Sequence, residues 1–427
     1  KDVNIVNYRT TPSINASIYT RINSPQAPLV SSTASDSVVF TDFIRDNNLN
    51  GNALIYTTGG VLENIAPPAF AFVGRFKNRL MGLSAENRNQ WWFSKEVLEN
   101  TPVEMSADQT IFVDEKYGEM TCGIEMDDKW VIFHPSAIQY LVGQGPDATG
   151  AQNDFSEPNF IDSSVGTIYP KSLVLTPMGV IFKSSKGLWL LGRDLRVSYV
   201  GAPVEAYNQY EVTSAVLVPG TTEVRFGLGN NQKTVLVYDY YYDQWGVFTG
   251  KNVLSAISFS GIYTYVSAGS SRQLIQETPG IYSDRGNPIL IGVKTAWLSL
   301  AGFQGFQRAY RLYFLGEYKS QHKLDISVAY DFKPGIVQTG QVRLTPRKKY
   351  GEDTFYGSGD VYGAESDVEQ YRFNLKQQKC QSLQVTIEEA VDAANYELGA
   401  GLNLEAINLV YGIKRGYPKL SDAKSVT

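Results

Sequence analysis

Catalysis needs nucleophilic or ionisable side chains brought together, so the two histidines and two cysteines of this 427-residue chain come first. His134 and His322 lie far apart, as do Cys122 and Cys380. No CxxC pair or Cys/His cluster exists, which removes zinc-ligand spacing and a disulfide framework. Val131-Ile132-Phe133 runs into His134, and Ser320-Gln321 runs into His322-Lys323. Both histidines therefore read as solvated turn residues rather than general bases. No GxSxG elbow is present to activate a serine.

Other chemistries fail on similar grounds. Asp46-Asn47-Asn48-Leu49-Asn50-Gly51 opens like a calcium loop, but Thr57 stands where a bidentate glutamate is needed, so an Asn-rich turn is expected. Gly143-Gln144-Gly145 and Gly227-Leu228-Gly229 lack the spacing of a dinucleotide or phosphate loop and read as turn glycines. The S-x-D-x-G-x-x-W box of sialidase propellers is absent, and spacing alone pairs no two of the 43 acidic residues as glycosidase carboxylates. No catalytic residue, cofactor or metal is assigned.

What remains is surface. Basic residues cluster at Arg343 with Arg347-Lys348-Lys349 and at Lys414-Arg415, where strand ends or a salt-sensitive subunit interface explain them. The run Tyr238-Asp239-Tyr240-Tyr241-Tyr242-Asp243-Gln244-Trp245 reads as a strand with aromatics on both faces, suited to packing and to protein interfaces. Arg343, Arg347, Lys348, Lys349, Tyr240 and Tyr242 are thus the candidate interface or channel residues. A net charge of −5 argues against a coat held on nucleic acid by phosphate neutralisation. It still allows a mildly acidic wall past which DNA slides. No stretch approaches the ~18 apolar residues of a membrane helix, so no membrane insertion is expected.

The elements that position these residues are strands. Tyrosine (27), phenylalanine (20) and glycine (38) are abundant and only 19% of residues are charged, so an all-β chain is expected. Residues 1–52, rich in Ser, Thr, Asn and Pro, read as an extended N-terminal arm. Residues 53–284 hold a repeat. Val131-Ile132-Phe133-His134 recurs as Val180-Ile181-Phe182-Lys183 roughly 50 residues later, with Tyr140 and Gly143 matched by Trp189 and Gly192. Weaker copies begin at Leu80, Val224 and Tyr263. Short strands at such a period predict a β-propeller of five to six blades, the hairpin from Leu54 to Leu62 serving closure or a sixth blade. Residues 285–420 alternate apolar and polar, as in Leu324-Asp325-Ile326-Ser327-Val328, which predicts a β-sandwich or jelly-roll-like domain before a tail at 421–427. A change of phase near Ala406 predicts a bulge. Residues Glu388 to Ala394 read as a loop or short helix.

Asn78-Arg79-Leu80-Met81 after Pro67-Pro68, with Tyr56-Thr57-Thr58-Gly59-Gly60 before them, resembles the start of the propeller in tail hub, or nozzle, proteins of short-tailed bacteriophages. Trp92-Phe93-Ser94, Val131-Ile132-Phe133 and the run from Tyr238 to Trp245 are similar to that family's recurring blade elements. Leu404-Glu405-Ala406-Ile407 through Tyr411-Gly412-Ile413-Lys414-Arg415-Gly416 resembles its closing sandwich strand. The resemblance spans about Ala53 to Leu420. It implies a non-enzymatic virion protein of the phage tail, assembled in the host cytoplasm as a homohexameric ring below the portal and adaptor. Such a ring forms the exit channel for double-stranded DNA, retains packaged DNA, and carries fibres or a needle. A glycan-binding or glycan-cleaving propeller is the alternative expectation, resting on aromatic content.

Overall fold

The computed structural model describes the chain apart from residues 1–2, 11–18, 25–26, 28, 32–36, 50–51, 53, 56–60, 100–101, 152, 163, 230–231, 270–271, 303–304, 319–322, 344–368, 391–400 and 415–427. It is an all-β protein that divides into two compact units, Lys1–Glu277 and Thr278–Thr427.

The first unit opens with short pairings of the arm. Asn4–Ile5 pairs with Leu29–Val30, and Tyr8–Thr10, Tyr19–Arg21 and Leu54–Ile55 make a three-stranded sheet. Leu54–Ile55 therefore belongs to the arm rather than to a blade, and residues 56–60 of the expected hairpin lie outside the described residues.

Five antiparallel meanders follow in chain order, each packed against the next, the succession of sheets that the sequence repeat predicts. The first sheet is Phe70–Phe76, Arg79–Ser84, Gln90–Ser94 and Met105–Phe112. The second is Cys122–Met126, Lys129–Phe133, Ile138–Val142 and Asn159–Asp162. The third is Val174–Thr176, Gly179–Ser184, Gly187–Gly192 and Val197–Tyr199. The fourth is Val212–Leu217, Glu223–Leu228, Thr234–Asp239 and Gln244–Thr249, and the fifth Val253–Phe259, Ile262–Ser267 and Leu274–Gln276. All five sequence anchors, Leu80, Val131, Val180, Val224 and Tyr263, fall on the second strand of their sheet. That strand is apolar because it has neighbours on both sides in its sheet and is covered on its faces. Consecutive sheets approach through their first strands.

The second unit is a two-sheet sandwich. One sheet orders its strands as Gly292–Lys294, Leu383–Ala390, Lys323–Tyr330, Lys333–Arg343. The other centres on Phe306–Tyr318, which pairs with Glu369–Asn374, Lys379–Cys380 and Leu402–Lys414. Leu324, Ile326, Val328, Val385 and Ile387 meet Leu312 and Phe314 in its core. Phe373 packs over Gly340, where a Cβ would strike its ring. The pairing of the closing strand shifts between Ala406 and Leu404, so the expected bulge is there. Glu388–Ala390, expected as loop or helix, continues the strand from Leu383 instead. Cross-strand bonds override local propensity there: the Glu389 N–H donates to Ile291 O at 2.9 Å.

Candidate functional site

The structure does not bring the sequence-selected surface residues into one site. Tyr238–Trp245 is a tight turn between two strands rather than one continuous strand. Asp239 Oδ1 accepts from the N–H groups of Tyr241 (3.0 Å) and Tyr242 (3.1 Å), and Asp243 adopts a φ of 52°. This is an Asx-type turn, which Asp favours because its short side chain substitutes for a backbone acceptor. Tyr240 packs partly buried against the core of the third and fourth sheets, whereas Tyr241 and Tyr242 stand exposed and meet edge-on at 4.9 Å. Arg343 ends its strand opposite Lys323. Its side chain lies outside the described residues, as do Arg347, Lys348 and Lys349, and His322.

His134 is not solvated. It is fully buried, with Nδ1 2.8 Å from Gly118 O and Nε2 3.1 Å from Gln139 Oε1. A carbonyl only accepts, so Nδ1 carries a proton. Its repeat counterpart Lys183 is buried too, and Nζ donates to Asn208 O at 2.6 Å. Each follows a core phenylalanine on a second strand and reaches a carbonyl of a loop between sheets, so both residues tie sheet to loop. Burial holds the Lys183 ammonium below its ordinary pKa.

Other sequence readings resolve similarly. Asp46, first in the calcium-like string, pairs with Arg9 at 2.7 Å, and Asp46–Asn48 forms one turn of 3-10 helix. Gly143 and Gly145 have φ of 125° and 72°, as turn glycines do. Gly227 is a strand residue instead, and a Cβ there would lie 3.0 Å from Val253 of the fifth sheet. Both cysteines are free and buried, and burial pushes the Cys122 thiol up to about 12, which leaves it unreactive. Among the described residues no three His, Cys, Asp or Glu side chains gather as a metal site, and no helix is long and apolar enough to cross a membrane.

Among the described residues the densest ionisable cluster lies between the fourth and fifth sheets. Arg225 donates to Glu277 at 2.6 Å and to Glu223 at 2.9 Å, and Lys251 donates to the other Glu277 oxygen at 2.7 Å. The Arg225 guanidinium also lies 4.8 Å from the Tyr263 ring centroid and 5.3 Å from that of Phe248. Burial works to raise the Glu277 carboxyl, but the hydrogen bonds from Arg225 and Lys251 prevail and hold it below its ordinary value. A glycosidase acid needs the opposite shift. The pair Glu223 and Glu277 is built as a lock, and a sequence signal existed for it: Arg225 interrupts a core strand between Val224 and Phe226.

One open cavity, about 340 Å³, lies at the first strands of the first three sheets, lined by Phe72, Arg75, Glu125, Trp130 and Leu175. Trp130 lies against Gly74 and Gly123, where added Cβ atoms would come within 2.5 and 2.6 Å of its indole.

No family model and no curated protein matches the chain. Among solved structures, a chain of a mitotic checkpoint complex aligns at 10% identity over 48% of this chain, with a TM-score of 0.32; the alignment spans 60% of that chain, less than two thirds of it. An exo-β-1,3-galactanase from Phanerochaete chrysosporium aligns at 8% identity over 82% of this chain and 99% of its own, with a TM-score of 0.30. A U3-55K structure aligns at 10% identity over 60% and 74%, also at 0.30. Alignments this loose say nothing about activity.

Proposed function

We propose that this chain is a ring-forming structural subunit of a short-tailed bacteriophage tail. In that role it is the hub or nozzle below the portal and adaptor, a homohexamer through which double-stranded DNA leaves, and it carries fibres or a needle. The observation that supports this reading is the order of parts along the chain: arm, five stacked meanders, sandwich, as the family resemblance implies. The ionisable clusters agree with a scaffold, because Arg225, Glu277, Lys251, His134 and Lys183 are each engaged in joining sheets to sheets or loops. Light-scattering mass and negative-stain microscopy, alone and with a portal ring, test it. Rings with a hole of ~20 Å, the width of a duplex, are the expected result, and monomers that ignore the portal reject it.

The cavity at Trp130 favours a second reading, glycan recognition by the propeller. There Glu125 stands beside the apolar Phe72 and Leu175, a carboxylate and an apolar wall for a sugar. Binding on a glycan array that Glu125→Ala abolishes would establish it, and silence on the array removes it.

A further inference from the structure

In the second unit, the sheet centred on Phe306–Tyr318 turns Ala309, Leu312 and Phe314 into the core and its other face to solvent. On the wet face the cross-strand rows are Lys379, Arg308, Gly412, then Asn374, Arg311, Val410, then Arg372, Tyr313, Asn408. Arg308 and Arg311 are three residues apart, so in a regular strand they would point to opposite faces. The pairing with the closing strand slips between Ala309 and Arg311, with Tyr310 as the extra residue. Ala309 stays buried while Tyr310 and Arg311 both emerge on the wet side. This bulge is what gathers the two arginines on one face.

Arg308, Arg311, Arg372 and Lys379 are all exposed, and among the described residues no carboxylate pairs with any of them. The Arg308 guanidinium lies 5.8 Å from the centroid of the Tyr310 ring and the Lys379 ammonium 4.3 Å from that of Phe306, so aromatic rings rather than acids steady two of the four. Tyr310 in turn lies against Gly412, where an added Cβ would come within 3.5 Å of its ring. The carboxylate residues of these strands, Glu317, Glu369 and Glu405, stand toward the other end of the sheet, at or beyond Leu315. Charge of one sign gathered without counter-charge repels itself and costs stability. It is the more pointed in a chain whose 43 acidic residues outnumber its 38 basic ones.

We infer that this face binds the phosphate backbone of a nucleic acid. Its basic rows recur every two residues of the closing strand, ~7 Å apart at ~3.4 Å per residue, a ladder suited to an anion that carries charge at regular intervals. The planar fork of arginine matches phosphate oxygens with two bonds, and Asn374 and Asn408 add donors on the same rows. Tyr310 is engaged by Arg308 and rests on Gly412, so charge rather than base stacking supplies the affinity, and binding is independent of sequence. The inference goes beyond the ring reading and does not need it, because the face lies within one unit of one molecule.

The test is fluorescence anisotropy of the full chain with a labelled DNA duplex, and with one of its single strands, from about 50 to 200 mM salt. Four phosphate contacts at about −0.9 each predict a slope of about −3.6 in log K against log salt for the duplex; at about −0.7 each they predict about −2.8 for the single strand. The arm with the tighter binding identifies the form of nucleic acid preferred. Arg308→Gln/Arg311→Gln, checked for folding by circular dichroism, is expected to weaken binding and to flatten the slope by about 2, one for each lost contact. Lys171→Gln/Arg196→Gln removes the same charge from exposed positions of the first unit and is expected to leave the slope unchanged. A chain with no salt-sensitive binding overturns the inference, as does a slope that Arg308→Gln/Arg311→Gln leaves in place. Displacement of the DNA by polyglutamate at equal charge concentration also overturns it, because the face would then answer to any polyanion. Monomers that bind DNA uphold this inference while rejecting the ring, and rings that ignore DNA do the reverse.

Discussion

Between the first and second sheets the gap is filled with rings: Trp91 meets Trp130 edge-on at 5.3 Å, and Phe76, Phe93 and Phe155 surround them. Between the fourth and fifth sheets the gap is crossed by charge, with Arg225 at the centre of Glu223, Glu277 and Lys251 beside a cluster of valines and tyrosines. The same joint is thus made twice, once by shape and once by ion pairing. Apolar packing is indifferent to pH and little weakened by moderate salt. An ion network holds only while its carboxylates are charged. The first joint should behave as a permanent one, and the last as one that conditions can open.

Removing the centre of the apolar joint is the largest test. Trp130→Ala empties a fully buried indole and should cost about 3–5 kcal/mol, read as a fall in denaturant midpoint at unchanged slope. An effect under about 1 kcal/mol would mean that the rings are not what holds the first two sheets. Arg225→Met comes next. It keeps most of the volume but leaves Glu277 and Glu223 without their shared partner, at about 3 kcal/mol. Hydrogen exchange should rise in residues 253–276 before residues 70–112, and a uniform rise would break the distinction between the joints.

Acid asks the same question without a mutation. Glu277 has its folded pKa depressed below the ordinary 4.5, so its contribution is complete above that value and is lost as pH falls through the folded value. Exchange in the fifth sheet should therefore accelerate in the acid range below about pH 4.5, while the aromatic joint keeps its protection. Arg225→Met should remove much of that selectivity, because the Arg225 bond to Glu277 goes and only the one from Lys251 still depresses its pKa.

The sequence made the scaffold plain and the joints obscure, for a physical reason. A second strand is buried by its own sheet and by its neighbours, so it must be apolar whatever surrounds it, and Val131-Ile132-Phe133 and Val180-Ile181-Phe182 repeat for that reason. His134 and Lys183 follow those runs at positions where a polar residue is normally wet. What buries them is a loop distant in sequence, carrying Gly118 in one case and Asn208 in the other, which no local pattern encodes. Tyr238–Trp245 is a different case: its aromatic content favours strand, yet Asp239 and Asp243 bracket the turn they make, a local signal in the sequence itself. Arg225 was legible as a charge inside a core strand, but its partner Glu277 lies on another sheet's far end.

The joint between the third and fourth sheets lies between the two extremes, and the smallest expected effect belongs there. Among the described residues Lys183 has no carboxylate partner, only the Asn208 carbonyl, with the Tyr169 ring 6.0 Å away. A buried charge with one acceptor gains little over its lost hydration. Lys183→Met retains the length of the side chain, gives up one hydrogen bond and removes the desolvated charge. Those terms oppose, and the net change should stay within about 1 kcal/mol. The pH dependence is the sharper reading. Because burial lowers the folded pKa of Lys183, the unfolded chain binds more protons than the folded one as pH approaches 10.5, and the parent's stability should gain from this group with rising pH over that window. In Lys183→Met that increment should vanish, and a parent that shows none would mean that the ammonium is better solvated than its burial implies. A loss well above 1 kcal/mol in the variant would instead make this joint a second ionic one and move the divide between shape and charge to the middle of the five sheets.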